Sequence, residues 1–222
     1  MSDSQYMSPK RRTPTHRQTV SRLIVPFHHQ SFDFTCGPSC LIMAMRAFDP
    51  SLPETRDLEI DLWREANMVE AYASSRQGLA LAAFRRGFRV RSQGNVEGIE
   101  LLDCLGLHLT AENRQVARAL HEDLKERCRA AGIPDRTAAV SLDSITDWIA
   151  AGACPLVLVD ARLVMEETVP HWIVPTSTGK SEVRFHDPLA SSGSSVVSAS
   201  RFERRLGFRG TTCAVVVDGK VP

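Results

Sequence analysis

The hydrophobic pattern of this chain differs between its two halves. Apolar residues in the N-terminal half recur every three or four positions, the spacing of a buried helix face, and the clearest case runs from Val116 to Cys128 with charges between. Gly or Pro follows several of these segments, as is common after helix ends. The pattern predicts helices over 37–48, 54–74, 78–86 and 111–131.

The C-terminal half favours strands. Short apolar runs predict strands over 155–160, 171–176, 182–187 and 213–218, after an earlier one at 88–92, with short helices near 143–151 and 199–206. A turn centred on Gly179 joins two of these runs into a hairpin and places His171 opposite Asp187 and Ile173 opposite Phe185. The Ser-rich stretch 191–198 predicts an exposed loop.

This order of elements predicts the α+β class, with an N-terminal helical lobe packed on a C-terminal antiparallel sheet. A chain of 222 residues can bury a core of its own, so we expect a single domain over 21–222 with an enlarged helical region at about 52–140. The basic, weakly apolar residues 1–20 are predicted to form a disordered tail.

From the charge balance we expect neither nucleic acid nor a membrane surface as a partner. Lys and Arg number 27 and Asp and Glu 26, for a net charge of +1, which gives no global attraction to nucleic acid or to an anionic membrane. We find no 18-residue apolar run and no apolar stretch of the signal-peptide kind. The sequence therefore predicts a cytoplasmic protein, and it leaves the oligomeric state open.

Cysteine usage favours reduced thiols. The six cysteines lie mostly inside apolar patterns rather than in a dense short-loop framework. Cys36 and Cys40 lie four positions apart, but no second pair has zinc-ligand spacing, so we predict no metal site and assign Cys40 to the core. The chemistry considered below needs no cofactor.

Cys36 carries the strongest chemical signal. It opens a predicted helix, and unpaired N–H groups at a helix N-terminus favour thiolate over thiol. Gln30, six residues upstream, has a side-chain amide that can donate to an oxyanion beside that sulfur. Each residue alone is more often structural, but the chain order of Gln30, Cys36, His171 and Asp187 predicts an oxyanion donor, a nucleophile, a base and an orienting acid.

Three sequence motifs, well separated in the chain, resemble those of a known family. They are Thr35-Cys36-Gly37-Pro38-Ser39-Cys40, His171-Trp172-Ile173-Val174 and His186-Asp187-Pro188. They resemble the peptidase C39 and C39-like families of papain-fold cysteine peptidases, which include peptidase domains of bacteriocin-exporting transporters. The stretches 78–83 and 85–88 resemble the stand-alone C39-like family in particular.

The resemblance implies a papain-like fold, with Cys36 on the nucleophile helix, His171 as base, Asp187 as orienting acid and Gln30 in the oxyanion hole. It implies a peptide or protein substrate. The double-glycine leader substrate of the transporter enzymes is not carried over, because the stretch 52–140 is longer than a minimal leader peptidase requires.

Three functions remain open at this point. The first is a cysteine peptidase or amidase that hydrolyses a peptide or isopeptide-like amide. The second is an acyltransferase or amide-forming enzyme with the same thioester chemistry. The third is a catalytically silent peptide-binding module, against which the presence of all four expected residues argues.

Overall fold

The structure is a computed structural model that describes residues 23–68, 73–96, 99, 102, 109–191 and 193–222. The predicted tail, 1–20, lies outside the described residues. In chain order the elements are α1 (Cys36–Arg46), α2 (Arg56–Ala66), α3 (Arg76–Arg85), β1 (Phe88–Gly94), α4 (Ala111–Ala130), β2 (Asp135–Thr137), α5 (Leu142–Ala150), β3 (Cys154–Asp160), a 3₁₀ turn (Ala161–Leu163), β4 (Pro170–Thr178), β5 (Glu182–His186), β6 (Ser195–Ser198), α6 (Ala199–Arg205) and β7 (Cys213–Lys220).

A seven-stranded sheet organises these elements in the order β2-β1-β7-β3-β4-β5-β6. Its pairs are antiparallel except for β1 and β2, which run parallel. Alternate residues of β3 enter different cores: Leu156 and Leu158 join the cluster around α1 and α3, while Val157 and Val159 join the cluster around Phe185. Helices therefore cover both faces, and the predicted α+β class is confirmed.

Helix α1 lies deep in the first cluster. Its residues from Cys40 to Met45 are fully buried, as expected for a helix that is apolar all round. The thiol of Cys40 donates to the carbonyl of Trp172 on β4 at 3.2 Å, so the prediction that Cys40 belongs to the core is confirmed. This packing fixes the N-terminal end of α1 against β4.

Ser and Thr residues cap the α-helices after α1 that the structure describes, α2 to α6. In each case the side-chain oxygen accepts a hydrogen bond from a backbone N–H in the first turn, a contact that contributes about 1 kcal/mol to helix stability. The capping residues of α2 to α6 are Thr55, Ser75, Thr110, Ser141 and Ser198. Helix α1 differs, because Thr35 occupies its N-cap position without making a capping hydrogen bond.

Helix α2 is shorter than predicted. It ends at Ala66 rather than at Ser74, because Asn67 adopts extended backbone angles of −61° and 141° and forms an isolated antiparallel bridge with Ser74. The backbone N–H of Met68 donates to the carbonyl of Ala73 at 2.7 Å. Tertiary pairing thus overrides helical periodicity here.

The predicted hairpin forms, but its predicted register is wrong. The turn is not centred on Gly179, whose N–H donates instead to the carbonyl of Glu182 at 2.8 Å, and an irregularity between Pro175 and Ser177 shifts the pairing further. His171 is therefore not opposite Asp187, nor Ile173 opposite Phe185. The observed partners are Val174 with His186, Pro175 with Phe185, Ser177 with Arg184 and Thr178 with Val183.

Two edge strands were not predicted. Residues 195–198, assigned to an exposed loop, form β6 by pairing antiparallel with β5. Residues 135–137 form β2, which pairs parallel with β1. Both are short strands at the ends of the sheet, where backbone pairing with a neighbour, rather than an apolar pattern, determines the structure.

Gly78 permits the close approach of α3 to α2, and replacing it with Ala tests that packing. A Cβ at this position would lie 2.5 Å from the Cα of Ala66 and 3.0 Å from the carbonyl oxygen of Glu65. We expect Gly78→Ala to lower the free energy of unfolding by about 1–3 kcal/mol in urea denaturation, despite the higher helix propensity of Ala.

Gly179→Ala is the control for this experiment, because its Cβ would meet Glu182 O at an ordinary 3.5 Å. Its unfolding free energy should stay within about 0.5 kcal/mol of the original protein. A Gly78→Ala protein as stable as the original would contradict the close packing of α3 on α2.

Candidate active site

Cys36 is the first residue of α1 and is of intermediate exposure. Its sulfur receives backbone hydrogen bonds from the N–H groups of Gly37 and Trp172. Pro38, in the first turn, has no N–H and so adds no unpaired donor there. The helix end and the start of β4 therefore direct donors at the same sulfur, which favours its anionic form.

His171 and Asp187 are in direct contact. His171 Nε2 lies 2.7 Å from Asp187 Oδ1, and both residues are about 95% buried, with exposed fractions of 4% and 5%. The backbone N–H of Leu189 also donates to Asp187 Oδ1, at 3.0 Å. Asp187 follows the last residue of β5, so the contact forms beyond the paired ladder and does not require the register predicted from the turn.

The structure brings Cys36 to the same histidine. The side chain of Cys36 is hydrogen-bonded to His171, and because Nε2 is in contact with Asp187, we assign Nδ1 as the ring nitrogen that is left for the thiol. Sulfur, imidazole and carboxylate thus form one hydrogen-bonded series. This series is the arrangement that nucleophilic catalysis by a thiol requires.

The electrostatics of the pair favour charge separation. Burial by itself would raise the pKa of Cys36, but the hydrogen bond and charge of His171, with the two backbone donors, lower that pKa below its ordinary value. Burial likewise opposes protonation of His171, yet hydrogen bonds to Asp187 and Cys36 raise its pKa to about 9. Between these two pKa values the site holds a thiolate beside an imidazolium.

The pKa values of the other described cysteines are raised rather than lowered. All five in the described part of the chain are free, and Cys104 lies outside it. Burial raises the pKa of Cys128 to about 11 and those of Cys154 and Cys213 to about 12, and it raises that of Cys40 well above its ordinary value. Cys36 is therefore distinguished from these four by its chemistry as well as by its position.

Gln30 lies at the same end of the molecule as Asp187. Its backbone N–H donates to the carbonyl of Pro188 at 2.9 Å, which ties the segment before α1 to the residue after Asp187. The side chain is buried, and its Nε2 donates to the carbonyl of Phe32 at 2.7 Å. Oε1 has no hydrogen-bond partner among the described residues.

Glu59 and His28 lie beside this site, and the sequence analysis did not single out Glu59. His28, two residues before Gln30, is 7% exposed, and its Nε2 lies 3.1 Å from Glu59 Oε2. Glu59 is fully buried on α2. The available signal was its helical spacing, since Glu59 shares a face with the buried Leu62 and Ala66.

A cavity of about 620 Å³ lies elsewhere, between the C-terminal part of α4 and β2. Charged side chains of both signs line it, among them Arg76, Lys125 and Asp135. None of its lining residues belongs to the series of Cys36 and its partners, so it is separate from the candidate site.

No group of three or more His, Cys, Asp or Glu side chains in the described ranges could hold a metal ion. Among the helices that the structure describes, none combines the length and the apolar character needed to cross a bilayer.

The arrangement of thiol, imidazole and carboxylate is similar to the sites of cysteine peptidases. A protein-family model, DUF3335, described as Peptidase_C39 like family, matches residues 25–202, and the chain belongs to this family. No curated protein matches the sequence significantly.

Solved structures with similar folds include proteases of transporters. One is a double-glycine-motif protease from an AMS/PCAT transporter in complex with the leader peptide, at 14% identity and a TM-score of 0.46, covering 90% of this chain and 95% of that one. Another is the peptidase domain of Streptococcus ComA, a bifunctional ABC transporter of a quorum-sensing pathway, at 14% identity and a TM-score of 0.44, covering 85% and 95% of the two chains.

The pairing of Cys36 with His171 predicts a distinctive alkylation profile. Iodoacetamide should label Cys36 with a pH midpoint below the ordinary thiol value of 9.0, while Cys40, Cys128 and Cys154 stay unlabelled at pH 7. In His171→Gln the imidazolium is absent and burial raises the thiol pKa, so the labelling rate at pH 7 should fall by about tenfold for each unit of rise.

Mass spectrometry of the labelled peptides measures each site separately, and the core thiols serve as internal controls. An unchanged midpoint in His171→Gln would contradict the pairing. So would a Cys36 midpoint at or above 9.0 in the original protein.

Proposed function

We propose that this chain is a cysteine peptidase or amidase that hydrolyses a peptide or isopeptide-like amide, with Cys36 as nucleophile, His171 as general base and acid, and Asp187 as the orienting carboxylate. The observation that carries the proposal is the hydrogen-bonded series of the three side chains, with a lowered pKa at Cys36 and a raised pKa at His171. Membership of a C39-like peptidase family supports it independently.

The first half of the reaction forms a thioester. The Cys36 thiolate, whose proton rests on His171, attacks the carbonyl carbon of the scissile amide, and the carbonyl electron pair moves onto oxygen. When the tetrahedral intermediate collapses, the carbon–nitrogen bond breaks and His171 donates its proton to the leaving amine. The second half reverses these roles. His171 takes a proton from water and the hydroxide attacks the thioester carbonyl; the carbon–sulfur bond then breaks, which releases the acid product and restores the Cys36 thiolate beside the protonated His171.

Asp187 acts through the imidazole. Its carboxylate accepts a hydrogen bond from Nε2 at 2.7 Å, which keeps Nδ1 directed at the sulfur and stabilises the imidazolium form. The backbone N–H of Leu189 holds the carboxylate in turn. A buried acid with two partners is well suited to fix a ring orientation.

The developing oxyanion needs donors. We assign this role to the backbone N–H of Cys36 and to the side-chain amide of Gln30, whose Nε2 has a second hydrogen beyond the one used on Phe32. Loss of one such donor in comparable enzymes costs on the order of 3 kcal/mol of transition-state stabilisation.

Family membership supports a peptide or protein as the substrate. One similar structure is a protease in complex with its leader peptide, and we propose peptide binding here without transferring that leader sequence. The free thiols of the described cysteines fit the expected cytoplasmic location.

Substitution of the proposed nucleophile and its orienting acid tests this function. With a peptide library read by mass spectrometry, Cys36→Ala should abolish cleavage because no thioester can form. Asp187→Asn should lower kcat on the order of 10²–10⁴-fold because the ring loses its preferred tautomer. Circular dichroism should show native folding in both variants.

Asp147→Asn, at an exposed position on α5, is the matched control and should cleave at the original rate. Cleavage by Cys36→Ala equal to that of the original protein would refute the proposal. Added hydroxylamine separates the two thioester chemistries: an acyltransferase would release mainly hydroxamates, whereas a hydrolase releases mainly free acids.

A further inference from the structure

Glu59 is a fully buried carboxylate outside the catalytic series. It lies on α2, and each of its oxygens accepts hydrogen bonds from the segment that precedes α1. Oε1 accepts from the backbone N–H of Ser31 at 2.8 Å and from the hydroxyl of Thr35. Oε2 accepts from the hydroxyl of Ser31 at 2.9 Å and lies 3.1 Å from His28 Nε2.

These partners surround the two groups assigned to the oxyanion. His28 and Ser31 flank Gln30 on either side in the chain, and Thr35 immediately precedes Cys36. One carboxylate therefore links the residues before and after Gln30 to the residue before Cys36.

Thr35, at the N-cap of α1, contacts Glu59 and makes no helix-capping hydrogen bond. In the described helices α2 to α6 a Ser or Thr at the N-cap accepts a hydrogen bond from the first turn, but Thr35 does not. Its hydroxyl instead donates to Glu59, accepts from the N–H of Phe32 at 3.2 Å and also lies 2.8 Å from the carbonyl oxygen of Phe32. The capping hydrogen bond is thus given up at the helix that carries the proposed nucleophile.

Burial of a charge needs compensation. An ionised carboxylate without partners is strongly disfavoured in a buried position. Burial raises the pKa of Glu59, but the hydrogen bonds from His28, Thr35 and Ser31 outweigh that effect and lower it below the ordinary value. The group is ionised at neutral pH, and its hydrogen bonds hold the segment 28–35 in one geometry.

We propose that Glu59 is a positioning residue for the oxyanion hole: by fixing the segment 28–35, it aligns the Gln30 amide and the Cys36 N–H on one point beside the sulfur. This inference rests on the proposed function. We assign Glu59 no contact with substrate, and it takes no part in the contact between His171 and Asp187.

Two reagents separate positioning from nucleophilicity at the same sulfur. Iodoacetamide alkylates a thiolate by direct displacement, in which a sulfur–carbon bond forms, iodide leaves and no oxyanion develops. With p-nitrophenyl acetate the sulfur adds to the ester carbonyl, an oxyanion forms and collapses, and p-nitrophenolate leaves as the thioester forms. The second reaction alone depends on aligned oxyanion donors.

In Glu59→Gln, which keeps the size of the side chain, the Cys36-dependent acylation rate with p-nitrophenyl acetate should fall at least about tenfold. The alkylation rate with iodoacetamide should stay within about twofold, because the imidazolium and helix N-terminus remain. A loss of the whole site by misfolding would instead lower both rates together.

Glu54→Gln is the matched control. Glu54 also contacts His28, with Oε1 3.3 Å from Nδ1, but the structure gives it no contact with Ser31 or Thr35 among the described residues. Both rates should stay within about twofold of the original in this variant.

The outcomes distinguish the two proposals. If the original protein alkylates and acylates Cys36 no faster than a core cysteine, the proposed function fails and the inference fails with it. If the original reacts rapidly with both reagents and Glu59→Gln does the same, only the positioning role is overturned.

Ser31→Ala decides the matter if Glu59→Gln does not fold. Ser31 is exposed, and this variant removes a single hydroxyl bond to Glu59. Acylation slowed at least about threefold with unchanged alkylation supports the positioning role, and unchanged rates with both reagents overturn it.

Discussion

The structure of the site depends on the balance between burial and mutual attraction at Cys36 and His171. Burial alone would keep both groups neutral, with an inert thiol beside a neutral ring. Their contact reverses this, because each group provides the counter-charge that the other needs, and Asp187 adds a second partner for the ring. The low polarity that opposes either charge alone strengthens the attraction once both are formed.

The fold produces this pairing by converging three separate elements. Helix α1 is buried along its length and anchored to β4 through Cys40, so its first residue lies beside the start of that strand. Asp187 lies just after β5, where the chain leaves the ladder and can turn its carboxylate to His171. Pro188, the next residue, accepts from the backbone of Gln30 and draws the segment before α1 to the same place.

Much of this arrangement could be predicted from the sequence because it depends on strong local signals. Helical periodicity located α1, α3 and α4, and the order of Gln30, Cys36, His171 and Asp187 indicated which side chains to examine. The hairpin register could not be predicted in this way, because the irregularity near Ser177 has no trace in the apolar pattern. Glu59 was not identified because a glutamate on an amphipathic helix ordinarily faces water. Its spacing from Leu62 and Ala66 was the signal in the sequence, and its tertiary partners establish that it is buried.

The most direct test of this account is the protonation state of His171, followed by nuclear magnetic resonance of its ring and assigned by comparison with His171→Gln. We expect the ring to be an imidazolium at pH 7 and to lose its proton near pH 9, and we expect Cys36→Ser to lower that midpoint because the thiolate partner is gone. A ring that is mostly neutral at pH 7, with an ordinary midpoint near 6.5 that Cys36→Ser does not move, would contradict it.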